Sequence, residues 1–295
     1  MLSGSKGSLL LCSDQHFDSE HCNRNMLRSH LQQAVDQGAS IFFCGDWFDA
    51  MQGKRDPRGS KGATRKEYQR NDYLNALVED TVNFLEPFSA NIAGWASGNH
   101  ETSILRFAEV DLISLCIDRL ADKTKNKIIK MPYSGWVLYS SMMRESSEIP
   151  DSTTKIAYTH GSGGGGAVTK GTIQTSRRAV YLPDADIVVS GHIHESWVME
   201  LRRERISTWG KDYQDTQWHI QLPTYKNEYT GDGWWAEKGL SPRPQGGVWL
   251  DFERVTRKGS KKKTNTYGVK ISPRRLSSWI LDGQRQSQGQ SGLVE

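Results

Sequence analysis

No two of the four cysteines, Cys12, Cys22, Cys44 and Cys116, stand in Cys-x-x-Cys spacing. That excludes a zinc-ribbon or dithiol redox pair. Cys12 and Cys44 fall inside apolar runs, so the expectation is buried, unpaired thiols in a reducing setting. Long apolar stretches are missing as well. None approaches the roughly 20 residues of a membrane-spanning helix, and residues 9–12 form too short a run for a secretory signal before Asp14 interrupts it. The expected location is therefore cytoplasmic, with no membrane partner. There is no internal repeat, and the glycine-rich run 161–166 lacks the closing Gly-Lys-Ser/Thr of a P-loop.

At 295 residues and 36% hydrophobic content the chain can bury one substantial core. The expectation is a single domain over 1–282, followed by a loose tail over 283–295 rich in Gln, Ser and Gly. Short apolar runs at 8–13, 41–44, 91–96, 155–159 and 186–189 read as buried strands, each stopping at a glycine or polar residue. Helix-like stretches at 23–37, 65–85 and 103–121 separate the first of them. This alternation predicts an α/β fold, in which ligands gather outside the carboxyl ends of the strands. From 197 onward the pattern turns to strands, at 197–206, 218–222, 248–255 and 267–271, read as a second sheet with one wet side.

Five motifs stand at those strand ends: Asp14-Gln15-His16, Gly45-Asp46-Trp47-Phe48-Asp49, Gly98-Asn99-His100-Glu101, His160-Gly161 and Gly191-His192-Ile193-His194. Taken singly, Asp14, Asp46 or Asn99 can cap a following helix, Asp49 can close a turn, and His160 can be a loop histidine. Together they offer the carboxylates of Asp14, Asp46 and Asp49, the Asn99 amide, and the imidazoles of His16, His100, His160, His192 and His194. One cation needs fewer donors; two divalent cations, with a histidine left for proton transfer, account for the set.

The order of these motifs resembles the calcineurin-like metallophosphoesterase superfamily, and the resemblance spans residues 14–194. It implies a four-layer α/β/β/α sandwich with two mixed sheets. It also implies that Asp14, His16, Asp46 and His194 hold one metal, and that Asp46, Asn99, His160 and His192 hold the other. A metal-bridging water is the implied nucleophile. His100 is the implied general acid, with Asp49 hydrogen-bonded to its ring. Carboxylates mixed with imidazoles suit two divalent ions, manganese first, with iron, zinc or nickel as alternatives.

Within that superfamily the protein phosphatases follow the second aspartate with Arg-Gly, whereas Asp49 here precedes Ala50-Met51-Gln52-Gly53. Asn99-His100-Glu101 resembles the protein phosphatases; the aromatics Trp47-Phe48 resemble the repair nucleases. The missing arginine weighs toward a phosphodiesterase acting on nucleic acid or a nucleotide diester. A nucleotide or protein phosphomonoesterase is the alternative, and a non-catalytic scaffold such as the retromer subunit is a third possibility.

The net charge of +4 is unevenly spread. Lys54, Arg55, Arg58, Lys61, Arg65, Lys66 and Arg70 follow the second motif, and Arg254, Arg257, Lys258, Lys261, Lys262, Lys263, Lys270, Arg274 and Arg275 form a later cluster. Either cluster is a solvated loop or a rim that attracts a polyanion such as nucleic acid. Lys170, Arg177 and Arg178, beyond the glycine run, are candidate contacts to a second phosphate, the other reading being a flexible loop leading into a helix. Tyr225, Tyr229, Trp234 and Trp235 beside Lys226 suit base stacking or a self-packed loop.

Overall fold

The computed structural model describes residues 6–50, 64–141, 152–166, 168–227, 239, 241–257 and 266–275. The chain alternates β1 (Lys6–Cys12), α1 (Arg24–Asp36), β2 (Ser40–Cys44), α2 (Tyr73–Leu85), β3 (Ile92–Ala96), α3 (Asn99–Ala108), α4 (Leu112–Thr124) and β4 (Ile129–Met131). It continues through β5 (Ser134–Ser141), β6 (Ser152–Thr159), α5 (Thr172–Tyr181), β7 (Ile187–Ser190), β8 (Trp197–Ile206), β9 (Asp212–Gln221), β10 (Val248–Arg257) and β11 (Thr266–Arg275).

Two mixed sheets result. One has the order β11-β10-β1-β2-β3-β4, the other β5-β6-β7-β9-β8. In the first, β1 to β4 run parallel while β10 lies antiparallel to β1. In the second, β6, β7 and β9 run parallel.

The period-2 alternation of strand side chains sorts the core into layers. From β1, Leu10 and Cys12 join Phe43 and Trp95 against Leu27 and Leu31 of α1, Leu77 of α2 and Ile113 of α4. Leu9 and Leu11 face the other way and, with Phe42, meet Ile156, Ile187 and Ile220 of the second sheet. On the far side, Ala157 and Val188 pack with Ala185 and Leu182, just beyond α5. The layers are thus helices, sheet, sheet, helix: the α/β/β/α arrangement of a metallophosphoesterase.

Element boundaries differ from expectation where local chemistry intervenes. The stretch 103–121 is two helices. Glu109 takes a left-handed conformation (φ 56°) after α3, and the Asp111 side chain accepts the Ser114 N–H at 3.1 Å to start α4. The helix expected from 65 begins at Tyr73, preceded by a 3-10 turn at Lys66–Tyr68 and an Arg70–Asp72 ion pair. The expectation that every late strand belongs to the second sheet is corrected. Whereas β8 and β9 do belong there, β10 sits beside β1 in the first sheet. Its Trp249 enters the helix-side core while Val248, Leu250 and Phe252 enter the intersheet core, so both faces are covered. The tail expected at 283–295 lies outside the described residues.

All four cysteines are free and buried. Burial pushes the thiols of Cys12 and Cys22 up to about 12 and raises those of Cys44 and Cys116 further still. Thiolate is the reactive form. Ellman's reagent should therefore label none of the four in the native protein and all four in guanidinium chloride; rapid native labelling would contradict the packing.

Candidate metal centre

The motif residues leave the carboxyl ends of β1, β2, β3, β6 and β7, where the parallel edges of both sheets meet. The loops after β1 and β2 run side by side, joined by Asp14 N–H to Gly45 O (3.0 Å), His16 N–H to Asp46 O (3.1 Å) and Phe17 N–H to Trp47 O (2.7 Å). The Asp18 carboxylate ties them again by accepting the N–H groups of Asp49 (2.6 Å) and Ala50 (2.9 Å). Two bonds then cross between the sheets: His160 Nδ1 to Cys44 O at 2.8 Å, and His192 N–H to Asp14 Oδ2 at 2.9 Å.

Two candidate ligand groups result, Asp14–His16–His194 and Asp46–His160–His192, and a third, His16–Asp49–His100, shares His16 with the first; the donor atoms of each lie within 4.8 Å of one another. In the first, His16 Nε2 and His194 Nε2 stand 3.1 Å apart, and His194 Nε2 is 3.3 Å from Asp14 Oδ1. In the second, His160 Nε2 lies 3.0 Å from Asp46 Oδ2 and 3.1 Å from the Asn99 Oδ1 atom.

The remaining bonds of these rings decide where the lone pairs point. His16 Nδ1 is 2.6 Å from Asp49 Oδ1, and His160 Nδ1 faces a backbone carbonyl, so each Nδ1 carries the proton and each Nε2 turns a lone pair inward. Those lone pairs confront carboxylate and amide oxygens, and Asp14 Oδ1, fully buried, has no hydrogen-bond partner. Acceptors converging without a donor are what a cation satisfies. The donor set of oxygen and imidazole nitrogen fits divalent transition metals.

Electrostatics agree. Burial raises the Asp14 carboxyl, but the His160 and His194 rings outweigh it and bring it to about 2. Burial likewise opposes ionisation of Asp46, yet His160 and His100 hold it well below the carboxylate range. Burial lowers the His160 imidazole, but without a cation Asp46 and Asp14 drive it up to about 10, a proton on Nε2 then standing where a metal ion would take the lone pair. The site demands positive charge.

The helix-capping reading of the aspartates does not hold. Asp14 (φ 54°), His16 (46°), Asp46 (51°), His192 (74°) and His194 (55°) all have left-handed backbone, which turns their side chains into the crevice. Two glycines permit the close approach. A Cβ on Gly98 would collide with the Asp46 carboxylate, and one on Gly191 with the side chains of Ser13 and Asp14.

His100 stands beside both groups, its ring 5.1 Å from that of His16. The expected hydrogen bond from Asp49 reaches it through the backbone. Asp49 O is 2.6 Å from His100 Nδ1, whereas Asp49 Oδ1 is 4.0 Å away and is drawn to His16. Burial lowers the His100 pKa, but Asp46 and Asp49 outweigh it, and the net direction is up.

Two residues outside the expected set complete the support. Glu101 accepts the N–H groups of Asp46 (3.0 Å), Phe48 (3.0 Å) and Gly98 (2.7 Å), binding the second motif to the third. Burial and Asp46 raise its carboxyl to about 7. Lys226, buried in the loop after β9, places Nζ 2.9 Å and 3.2 Å from the two Asp49 oxygens. It forms a line Lys226–Asp49–His16 behind the centre. Glu101 stood inside a motif; nothing in the local sequence of Lys226 distinguished it from a surface lysine.

Other candidate contacts are dispersed. Lys170 lies 3.8 Å from Glu195, which also pairs with Arg243. Arg177 is exposed on α5, and Arg178 is buried beneath that helix on the outer face of the second sheet, apart from the ligands. Arg65 donates to the carbonyls of Ser19 and Cys22, Arg70 pairs with Asp72, and Arg274 pairs with Asp251. Lys66 and Lys270 are exposed. Lys54, Arg55, Arg58, Lys61, Lys258, Lys261, Lys262, Lys263, Tyr229, Trp234 and Trp235 lie outside the described residues, as do the side chains of Arg254, Arg257 and Arg275. Tyr225 is buried, its hydroxyl 2.9 Å from His30 Nδ1, which excludes it from base stacking.

The calcineurin-like phosphoesterase family model matches residues 7–196. The chain belongs to this family, membership of which supports a phosphoester hydrolase in general, and the family is typically dependent on two metals. Comparison with curated protein sequences finds no match. Similar solved structures include a predicted phosphoesterase from Streptococcus pneumoniae (12% identity, 91% of this chain, 100% of that one, TM-score 0.33). Zinc-complexed Vps29 from Entamoeba histolytica is another (9% identity, 90% and 98% coverage, TM-score 0.37). GAP50, the anchor in the inner membrane complex of Plasmodium, is a third (11% identity, 92% and 89% coverage, TM-score 0.38). Among the described residues no helix is long and apolar enough to cross a membrane.

Two substitutions test the supporting shell. Gly98→Ala should displace the Asp46 carboxylate and lower bound metal per chain, measured by plasma mass spectrometry, with the far-UV circular dichroism unchanged; full metal content would contradict the clash. Lys226→Met removes one cation from a buried pair and should cost on the order of 3 kcal/mol by urea denaturation. An unchanged midpoint would show that His16 alone balances Asp49.

Proposed function

We propose that this protein is a dimetal phosphodiesterase acting on nucleic-acid ends or small nucleotide diesters. Asp14, His16, Asp46 and His194 would hold one divalent cation, manganese being the best match to the donors. Asp46, Asn99, His160 and His192 would hold the second, with Asp46 shared. When bound, such a pair supplies an activated water and neutralises charge on the phosphoryl oxygens.

The chain's own residues then divide the remaining work. Asp49 fixes His16 through its carboxylate and His100 through its carbonyl. With Nδ1 engaged, His100 has Nε2 free to hand a proton to the departing oxygen; that nitrogen lies 3.7 Å from Asp46 Oδ2, and the side chain keeps 12% exposure toward the crevice. A placed proton donor supports catalysis over a purely structural role.

The observation that carries the diester reading is Ala50. It occupies the position after Asp49, is buried, and gives its N–H to Asp18. A phosphomonoester dianion brings a second negative charge that a cationic side chain at this position would meet; a diester brings one. The Asn99-His100-Glu101 triplet does not favour a protein phosphatase, because Glu101 serves the backbone of the second motif rather than the crevice.

Manganese-loaded protein should hydrolyse bis(p-nitrophenyl) phosphate faster than p-nitrophenyl phosphate, with chelator abolishing both. Faster monoester turnover would instead make the protein a phosphomonoesterase. His100→Ala should lower kcat by about 10²–10⁴-fold with metal content retained, and Asp46→Asn should lose metal and activity together. A full rate in His100→Ala would remove that residue from the mechanism.

A further inference from the structure

Beneath α5, on the outer face of β5 and β6, lies a cavity of about 310 Å³. Arg178 lines it at 9% exposure. Neighbouring arginines on this face are accounted for: Arg203 lies 2.7 Å from Asp215 and Arg205 3.8 Å from the same carboxylate. Arg178 has no hydrogen bond or ion pair from its guanidinium to any described residue, and no carboxylate is among the described residues that line the cavity. Ser134, Ser162 and Gln174 stand around it instead.

The Arg178 residue is largely covered by protein while it lines the cavity, so an anion entering there would meet an unpaired guanidinium. Its planar fork of donors matches the paired oxygens of a phosphate or carboxylate. The other walls narrow the ligand. Ala157, Val188 and Leu182 form an apolar floor, while Trp136 and Tyr181 stand at the cavity with 46% and 63% exposure, offering flat faces to a ring. The volume is at the lower end of small-molecule sites.

We propose that this cavity binds an organic anion of the nucleoside monophosphate type, its phosphate on Arg178 and its base against Trp136 and Tyr181. The site is separate from the metal ligands, although Ser162 is only two residues beyond His160, and it stands whether or not the protein is a phosphodiesterase.

Calorimetric titration of the full-length Asp46→Asn chain, whose metal centre is disabled, with adenosine 5′-monophosphate tests this. One binding site is expected, with at least tenfold weaker affinity when Arg178→Met is added and an intermediate loss with Arg178→Lys. Trp136→Ala should weaken the nucleotide without altering the affinity for inorganic phosphate. Chelator-treated wild-type protein serves for the same comparison if Asp46→Asn does not fold, and thermal melts check each variant. Absence of nucleotide binding, or equal binding by the Arg178→Met chain, would overturn the proposal. Diester turnover is read separately, so failure there leaves this result intact.

Discussion

Three aspartate carboxylates, Asp14, Asp46 and Asp49, lie almost wholly out of water in one crevice. Buried negative charge must be matched or it will not stay ionised. The surroundings supply much of that match: the His160 and His100 imidazoles, His16 Nδ1 beside Asp49, the Lys226 ammonium, and backbone N–H groups from His192 and His100. Ring tautomers, the path of the loop after β9 and the approach of the two sheets all follow from this need. The lone pairs still turned inward mark what the chain does not provide for itself.

That need explains why the crevice sits between the sheets. No single strand can deliver so many donors to one point, because alternate side chains leave on opposite faces. Five strand ends converging do deliver them. Backbone does much of the holding: Gly45 and Asp46 carbonyls pin the first loop, and the Asp14 carbonyl accepts the Thr224 hydroxyl at 2.7 Å and the Tyr225 N–H at 3.0 Å. The His160 ring and the Asp14 carboxylate add the bonds across the sheets. Side chains near the centre can therefore be strongly polar without destabilising the junction.

Much of this was legible along the chain. Apolar runs ending in Gly, Asp or His marked the strands and the ligands alike, since a strand buried on both faces is a near-continuous apolar word. What local pattern could not show was partnership across the fold. The run at 248–255 reads as a strand, but that it would lie beside β1 depends on which core has room for Trp249. The same holds for Asp49, whose carboxylate had two histidines to choose from, and for Lys226, whose burial is set by residues 177 positions away. Arg177 and Arg178 read alike as candidate phosphate contacts; the fold separates them, leaving Arg177 exposed on α5 and Arg178 buried beneath it.

Left-handed backbone at five of the candidate ligand positions narrows what can replace them. Among residues with a Cβ, aspartate, asparagine and histidine tolerate that conformation best. Glutamate in place of Asp14 would preserve charge but sit poorly on the backbone. Asparagine would suit the backbone but surrender the charge. The chemically conservative and the conformationally conservative exchanges are different residues, so single substitutions offer sequence drift no neutral path through these sites.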